Sequence, residues 1–101
     1  MYTDYVFTAA SQAALTSPAP GSVLAGSKVT FSWSAGTGAT GYILRLGTTV
    51  GAYSLHTTGP ITATSATVSG LPTTGETIYA RLYTYFGSSQ VHTDYVFTAA
   101  P

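Results

Sequence analysis

Val29-Thr30-Phe31-Ser32-Trp33 decides the fold class. Its large apolar residues fall at every second position. Val29, Phe31 and Trp33 therefore share one face of an extended chain, and Thr30 and Ser32 share the other. β-Branched and aromatic residues suit a pleated, half-buried surface. The spacing predicts a strand over residues 28–35, with Trp33 between two layers.

The same alternation recurs downstream. It predicts a strand over 42–47, with Tyr42, Leu44 and Leu46 inward and Ile43 and Arg45 outward. A weaker edge strand is expected over 53–57, ended by Gly59-Pro60, and another over 66–68, running into Gly70-Leu71-Pro72. After a turn at Thr73-Thr74-Gly75-Glu76, a long strand over 77–86 carries Ile78, Ala80, Leu82 and Thr84 on its core face. Tyr79, Arg81, Tyr83 and Tyr85 occupy its other face. Gly87-Ser88-Ser89 turns the chain into a last strand over 90–99. Near the start, Leu15-Thr16-Ser17 is a short first strand. Pro18-Ala19-Pro20-Gly21 interrupts it, because proline offers no N–H to a ladder.

No segment has a helical period, and Gly or Pro clusters recur roughly every 8–12 residues, the spacing of a sandwich or barrel. The expectation is an all-β fold, a seven-stranded antiparallel β-sandwich in residues 11–101. Its core is expected to hold Val29, Phe31, Trp33, Tyr42, Leu44, Leu46, Val68, Leu71, Ile78, Ala80 and Leu82.

The last strand has a duplicate. Thr93-Asp94-Tyr95-Val96-Phe97-Thr98-Ala99-Ala100 repeats, letter for letter, Thr3-Asp4-Tyr5-Val6-Phe7-Thr8-Ala9-Ala10, at an offset of 93 − 3 = 90 positions. Either the chain was cut from a tandem array, or it was built to carry one strand twice. Residues 1–10 are thus expected to be an additional N-terminal strand, with Tyr5 and Phe7 alternating against Asp4, Val6 and Thr8.

The order of features resembles a fibronectin type III or related bacterial immunoglobulin-like domain. The carriers are Ser17-Pro18-Ala19-Pro20-Gly21, Val29 to Trp33, Gly41-Tyr42-Ile43-Leu44-Arg45-Leu46, Ala66 to Pro72 and Thr77 to Leu82. The resemblance covers residues 13–99 and rests on order and spacing. It implies a two-sheet sandwich serving as a spacer or binding module. One position departs: where the family commonly starts its sixth strand with an inward tyrosine, this chain has Ile78, with Tyr79 beside it.

Composition excludes several functions. Charged residues make up 6% of the chain and cancel, so it carries no electrostatic footprint for nucleic acid or an anionic membrane. No run of about 18 apolar residues is present, so no membrane span is expected. The chain has no Cys, which excludes disulfides and thiolate chemistry, and no Asn, which excludes N-glycosylation. A bias to Thr, Ser, Gly and Tyr points to an extracellular or cell-surface bacterial protein. Met1-Tyr2-Thr3-Asp4 lacks the basic start and apolar stretch of a signal peptide.

Catalysis fails on inventory. Glycoside hydrolysis needs two facing carboxylates, and Glu76 and Asp94 are read as turn and strand residues. A nucleophile triad needs a His with an orienting acid, and the only imidazoles, His56 and His92, sit in strands rich in Thr and Ser; two His without Cys make a poor zinc site. The glycine loop over 36–41 lacks the Lys-Ser/Thr ending of a phosphate loop. Lys28 shares parity with Thr30 and Ser32 and so faces solvent, which argues against an internal isopeptide crosslink. The chain is read as a non-enzyme with no cofactor and no metal.

Two contact regions remain. The first is the assembly strand: Thr3, Asp4, Tyr5, Val6, Phe7 and Thr8, with Thr93, Asp94, Tyr95, Val96, Phe97 and Thr98. A loose strand with two large aromatics needs an edge or groove. It is expected to occupy, or pair beside, the last-strand position of another copy. The alternative is a monomer whose extra strand packs on its own domain. The second region is an outward face of Ile43, Arg45, Tyr79, Arg81, Tyr83 and Tyr85. It serves cross-strand pairing, a protein contact or stacking on carbohydrate. Function is expected to be that of a non-catalytic unit of an extracellular repeat protein or fibre, self-associating head to tail into filaments by strand exchange. The alternative is a carbohydrate- or protein-binding module attached to a secreted enzyme or adhesin.

Overall fold

The computed structural model describes residues 12–101. The strand expected over residues 2–10, and with it Thr3 to Thr8, lies outside the described residues. Among them there is no helix and there are seven strands: β1 (Leu15–Ser17), β2 (Val29–Trp33), β3 (Gly41–Gly47), β4 (His56–Thr57), β5 (Ser65–Val68), β6 (Thr77–Phe86) and β7 (Ser89–Thr98). They form two antiparallel sheets, one of three strands in the order β1-β2-β5 and one of four in the order β4-β3-β6-β7.

The alternation read from the sequence places the core. Val29, Phe31 and Trp33 of β2 and Val68 of β5 face Tyr42, Leu44 and Leu46 of β3 and Ile78, Ala80 and Leu82 of β6 in one cluster that also takes Leu71. Rings interlock across the layers. Phe31 meets Phe97 of β7 edge-on with centroids 5.6 Å apart, and Trp33 meets Tyr42 at 6.0 Å. Aromatic quadrupoles favour such edge-to-face contacts. Thr84 is also fully buried. Its hydroxyl accepts a hydrogen bond from the N–H of Ala13 at 2.9 Å, which offsets the cost of burying it.

Two expected strands are shorter than their sequence patterns. The strand over 28–35 ends at Trp33, after which the chain turns away through Ser34 and Ala35. The edge strand over 53–57 shrinks to His56–Thr57. The backbone beyond it still tracks β3: Thr58 N–H donates to Leu44 C=O at 2.9 Å, and the Thr58 hydroxyl accepts from Leu44 N–H at 3.0 Å. A side chain has replaced a ladder carbonyl, so strand geometry stops while the edge of β3 stays satisfied. Tyr42 and Ile61 close the row with an isolated bridge.

The Pro18–Gly21 break does more than end β1. Past it the chain crosses to the other sheet and runs parallel to the end of β7, with Val23 bridging Thr98. Gly21 N–H donates to Val96 C=O at 2.7 Å, Thr98 N–H to Ser22 C=O at 3.1 Å, and Leu24 N–H to Thr98 C=O at 2.8 Å. Leu24 is buried by this crossing.

Candidate functional site

β7 carries the copy of the duplicated octapeptide that lies within the described residues, and its side chains divide by parity. Phe97 points inward, is fully buried and stands opposite Ile78 in the ladder. Tyr95 is half-buried against the core, and its hydroxyl accepts the N–H of Leu15 at 3.0 Å. Thr93 donates its hydroxyl to the Gln12 side-chain carbonyl at 2.9 Å. On the opposite face, Asp94 meets Arg81 through two hydrogen bonds, Nε to Oδ1 at 2.7 Å and Nη2 to Oδ2 at 3.0 Å. The guanidinium bonds hold the Asp94 carboxylate below the usual carboxylate range, and the same pairing raises Arg81. Val96 and Thr98 are exposed, and their backbone groups hold Gly21–Leu24.

The strand continues past Thr98 into buried ground that alternation did not reveal. Ala99 and Ala100 are both buried. Ala99 N–H donates to Glu76 C=O at 2.8 Å and Gly75 N–H to Ala100 C=O at 3.1 Å. All eight residues of the repeated stretch therefore have a definite place: three in the core, one on Arg81, one on Leu15, and the rest on backbone partners or Gln12.

The outward face assembles as its parity implied. Ile43 stands opposite Tyr83 and Arg45 opposite Arg81, while Tyr79 and Tyr85 lie opposite Gly47 and Gly41. On the other side of β6, Arg81 faces Asp94 and Tyr83 faces His92. In one respect it departs from its parity. Ile43 lies on the outer face yet is buried. The loop after β3 folds back over the sheet: a Cβ at Gly47 would sit 2.6 Å from Ala52 O, and one at Gly51 would sit 3.0 Å from Arg81 Nη1. Tyr53, carried by that loop, covers Arg45, whose guanidinium carbon lies 4.8 Å from its ring centroid and 5.1 Å from that of Tyr83. Arg45 Nε is buried without a hydrogen-bond partner among the described residues, its place taken by ring faces. Tyr83 also leans on Tyr85 and His92, at 6.4 and 5.5 Å.

Sequence reasoning missed Tyr53, Gly51 and His92 as members of this face. Loop residues carry no period, and only the unusual density of small residues over 47–52 hints at a close approach. Lys28 and Glu76 are exposed at separate loop ends. Among the described residues no three His, Asp or Glu side chains gather as a metal site would require. No family model, curated protein or solved structure matches the chain.

Proposed function

We propose that the chain is one unit of an extracellular repeat protein or fibre, a non-catalytic sandwich of the fibronectin type III or bacterial immunoglobulin-like kind. It associates with copies of itself, head to tail, through its duplicated terminal strand. The division into β1-β2-β5 and β4-β3-β6-β7 supports the kinship that the order of sequence features implied. One observation carries the functional reading: the described copy of the octapeptide, residues 93–100, is built into the core and is not a surface tag. It supplies Phe97, Ala99 and Ala100 to the interior and Asp94 to Arg81. A second copy of such a strand brings the same appetite for a groove, and every molecule contains the matching groove.

The rings of the outer face argue less for a carbohydrate- or protein-binding module, because Tyr53 and Tyr83 are already engaged with Arg45. Deleting residues 1–10 tests the assembly reading. Light scattering on the full chain is expected to show mass rising with concentration, and the truncated chain is expected to stay monomeric. Equal masses for both at high concentration would remove the basis for assembly through this segment.

A further inference from the structure

We infer that residues 1–10 of one molecule replace residues 91–100, most of β7 and the two residues after it, in a second copy, in matched register, and cannot do so in their own. This rests on the assembly reading above and names its geometry. The match extends beyond the eight identities. At the same offset Met1 falls on Val91 and Tyr2 on His92, so ten consecutive positions have a counterpart of suitable kind. In the slot, Phe7 takes the place of Phe97 against Phe31, Asp4 that of Asp94 on Arg81, and Tyr5 that of Tyr95 beneath Leu15. Tyr2 brings a ring to Tyr83, where His92 stands.

Chain length forbids self-occupation. The described chain begins beside Thr84, with Ala13 N–H on the Thr84 hydroxyl. The slot ends at the other extreme of β6, where Ala100 and Ala99 bond to Gly75 and Glu76. Those two places are 84 − 76 = 8 residues apart along β6, or about 26 Å at ~3.3 Å per residue. From Ala10 to Ala13 there are three links, which reach about 11 Å at most. A copy seated in its own slot would need more than twice that span. The same reach brings the donor's own Ala13 to within about 11 Å of the acceptor's Glu76 end. The contact is heterologous and leaves each molecule with one strand to give and one slot to fill, the pattern that propagates as a filament.

Replacement is favoured over addition beside β7. Along Val96–Thr98 the outer edge of β7 is already bonded to Gly21–Leu24. The slot holds one ring, so seating Phe7 there turns Phe97 out, and the occupied edge is what separates the two arrangements. The cost of replacement is the tether: the native β7 is attached through a short turn and enjoys a high effective concentration. Exchange is therefore promoted by concentration and by refolding.

Cysteine trapping tests the register, and the chain has no native thiol to confuse it. Thr77 stands opposite Thr98, whose N–H and C=O both point away to Ser22 and Leu24. The two therefore form a non-hydrogen-bonded pair with Cα atoms about 4.5 Å apart, inside the disulfide span of about 4.4–6.8 Å. Thr8 is the counterpart of Thr98. The double variant Thr8→Cys, Thr77→Cys, refolded at high concentration under mild oxidation, is expected to give a ladder of disulfide-linked oligomers on a non-reducing gel. Thr77→Cys with Thr98→Cys is expected to give an internally linked monomer, which checks the pair geometry. Thr77→Cys with Ala9→Cys, one residue out of step, is expected to give at least tenfold less ladder. A linked monomer from the 8–77 pair, no ladder, or an equal ladder from the 9–77 pair would overturn the inference. If deletion of residues 1–10 lowers the mass and the 8–77 ladder is still absent, the assembly reading stands and replacement of β7 falls. If the deletion has no effect either, both fall.

Discussion

Phe97→Ala probes the slot and its duplicate together. Phe97 has no exposed surface, touches the ring of Phe31 edge-on and sits opposite Ile78. Truncating a buried phenylalanine costs about 3–5 kcal/mol, of which the edge contact accounts for about 0.5–1.5 kcal/mol. A domain of this size has a total stability of about 5–15 kcal/mol, and each kcal/mol moves its melting temperature by about 4–8 °C. A fall of at least about 12 °C is expected in dilute solution. Phe7→Ala, the identical change in the duplicate, is expected to leave the dilute melting temperature unaltered. At high concentration the two variants should diverge further. The weakened β7 of Phe97→Ala competes with an intact copy from a neighbour, so the balance shifts toward exchange by the same 3–5 kcal/mol, about two to nearly four powers of ten. Its melting temperature should then climb with protein concentration, and that of a Phe7→Ala, Phe97→Ala double variant should not. Scanning calorimetry and urea melts across a wide concentration range read both effects. A dilute melting temperature for Phe97→Ala within a few degrees of the parent would refute the placement of Phe97 in the core. A concentration-independent one would refute the argument that the duplicate competes for its place.

The Arg81–Asp94 pair makes stability depend on pH in acid. Asp94 has a folded pKa below its unfolded value, so its contribution is present above the unfolded value, near pH 4, and is lost as pH falls through the folded one. The stability gap between the parent and Asp94→Asn is expected to be about 1 kcal/mol or less at neutral pH, to close in acid and to shrink with salt; a gap that widens in acid contradicts the pairing. Gly47→Ala places a methyl group 2.6 Å from Ala52 O and is expected to cost about 1–3 kcal/mol while loosening Tyr53 from Arg45, measurable as lost melting temperature and altered tyrosine fluorescence. Neutral behaviour there would mean that the loop does not lie on the sheet. With a pI near 6.7, solubility in a precipitant titration is expected to be lowest around neutral pH and to rise well away from it; a flat profile would show that charge does not limit association.

Much of this fold was legible because the inward residues of its central strands follow a period of two. Val29, Phe31 and Trp33, then Tyr42, Leu44 and Leu46, then Ile78, Ala80 and Leu82, are each buried as alternation requires. What stayed hidden has no period. Ala13, Ala99 and Ala100 are buried, and such small residues leave no hydrophobic signature in the sequence. Leu24 is buried by a crossing between sheets that Pro18 to Gly21 announced only as a break. Ile43 has outward parity, and alternation alone gave no sign of its burial. The candidate site divides the same way. The row Tyr79, Arg81, Tyr83 and Tyr85 followed from parity, but the partners that occupy it, Asp94, His92 and Tyr53, are set by strand register and by a returning loop.

The parallel run of Gly21–Leu24 against the end of β7 has a mechanical consequence. The chain enters at the Thr84 end and leaves at the Glu76 end, so tension between those ends acts along the strands. The three bonds at Val96 and Thr98 then lie across the line of force and are loaded together, in shear, instead of opening one after another. Resistance to forced opening is a rate property, set by the barrier to unfolding. This short stitch is therefore expected to lengthen the time a unit stays closed under load by a route separate from the apolar surface its core conceals.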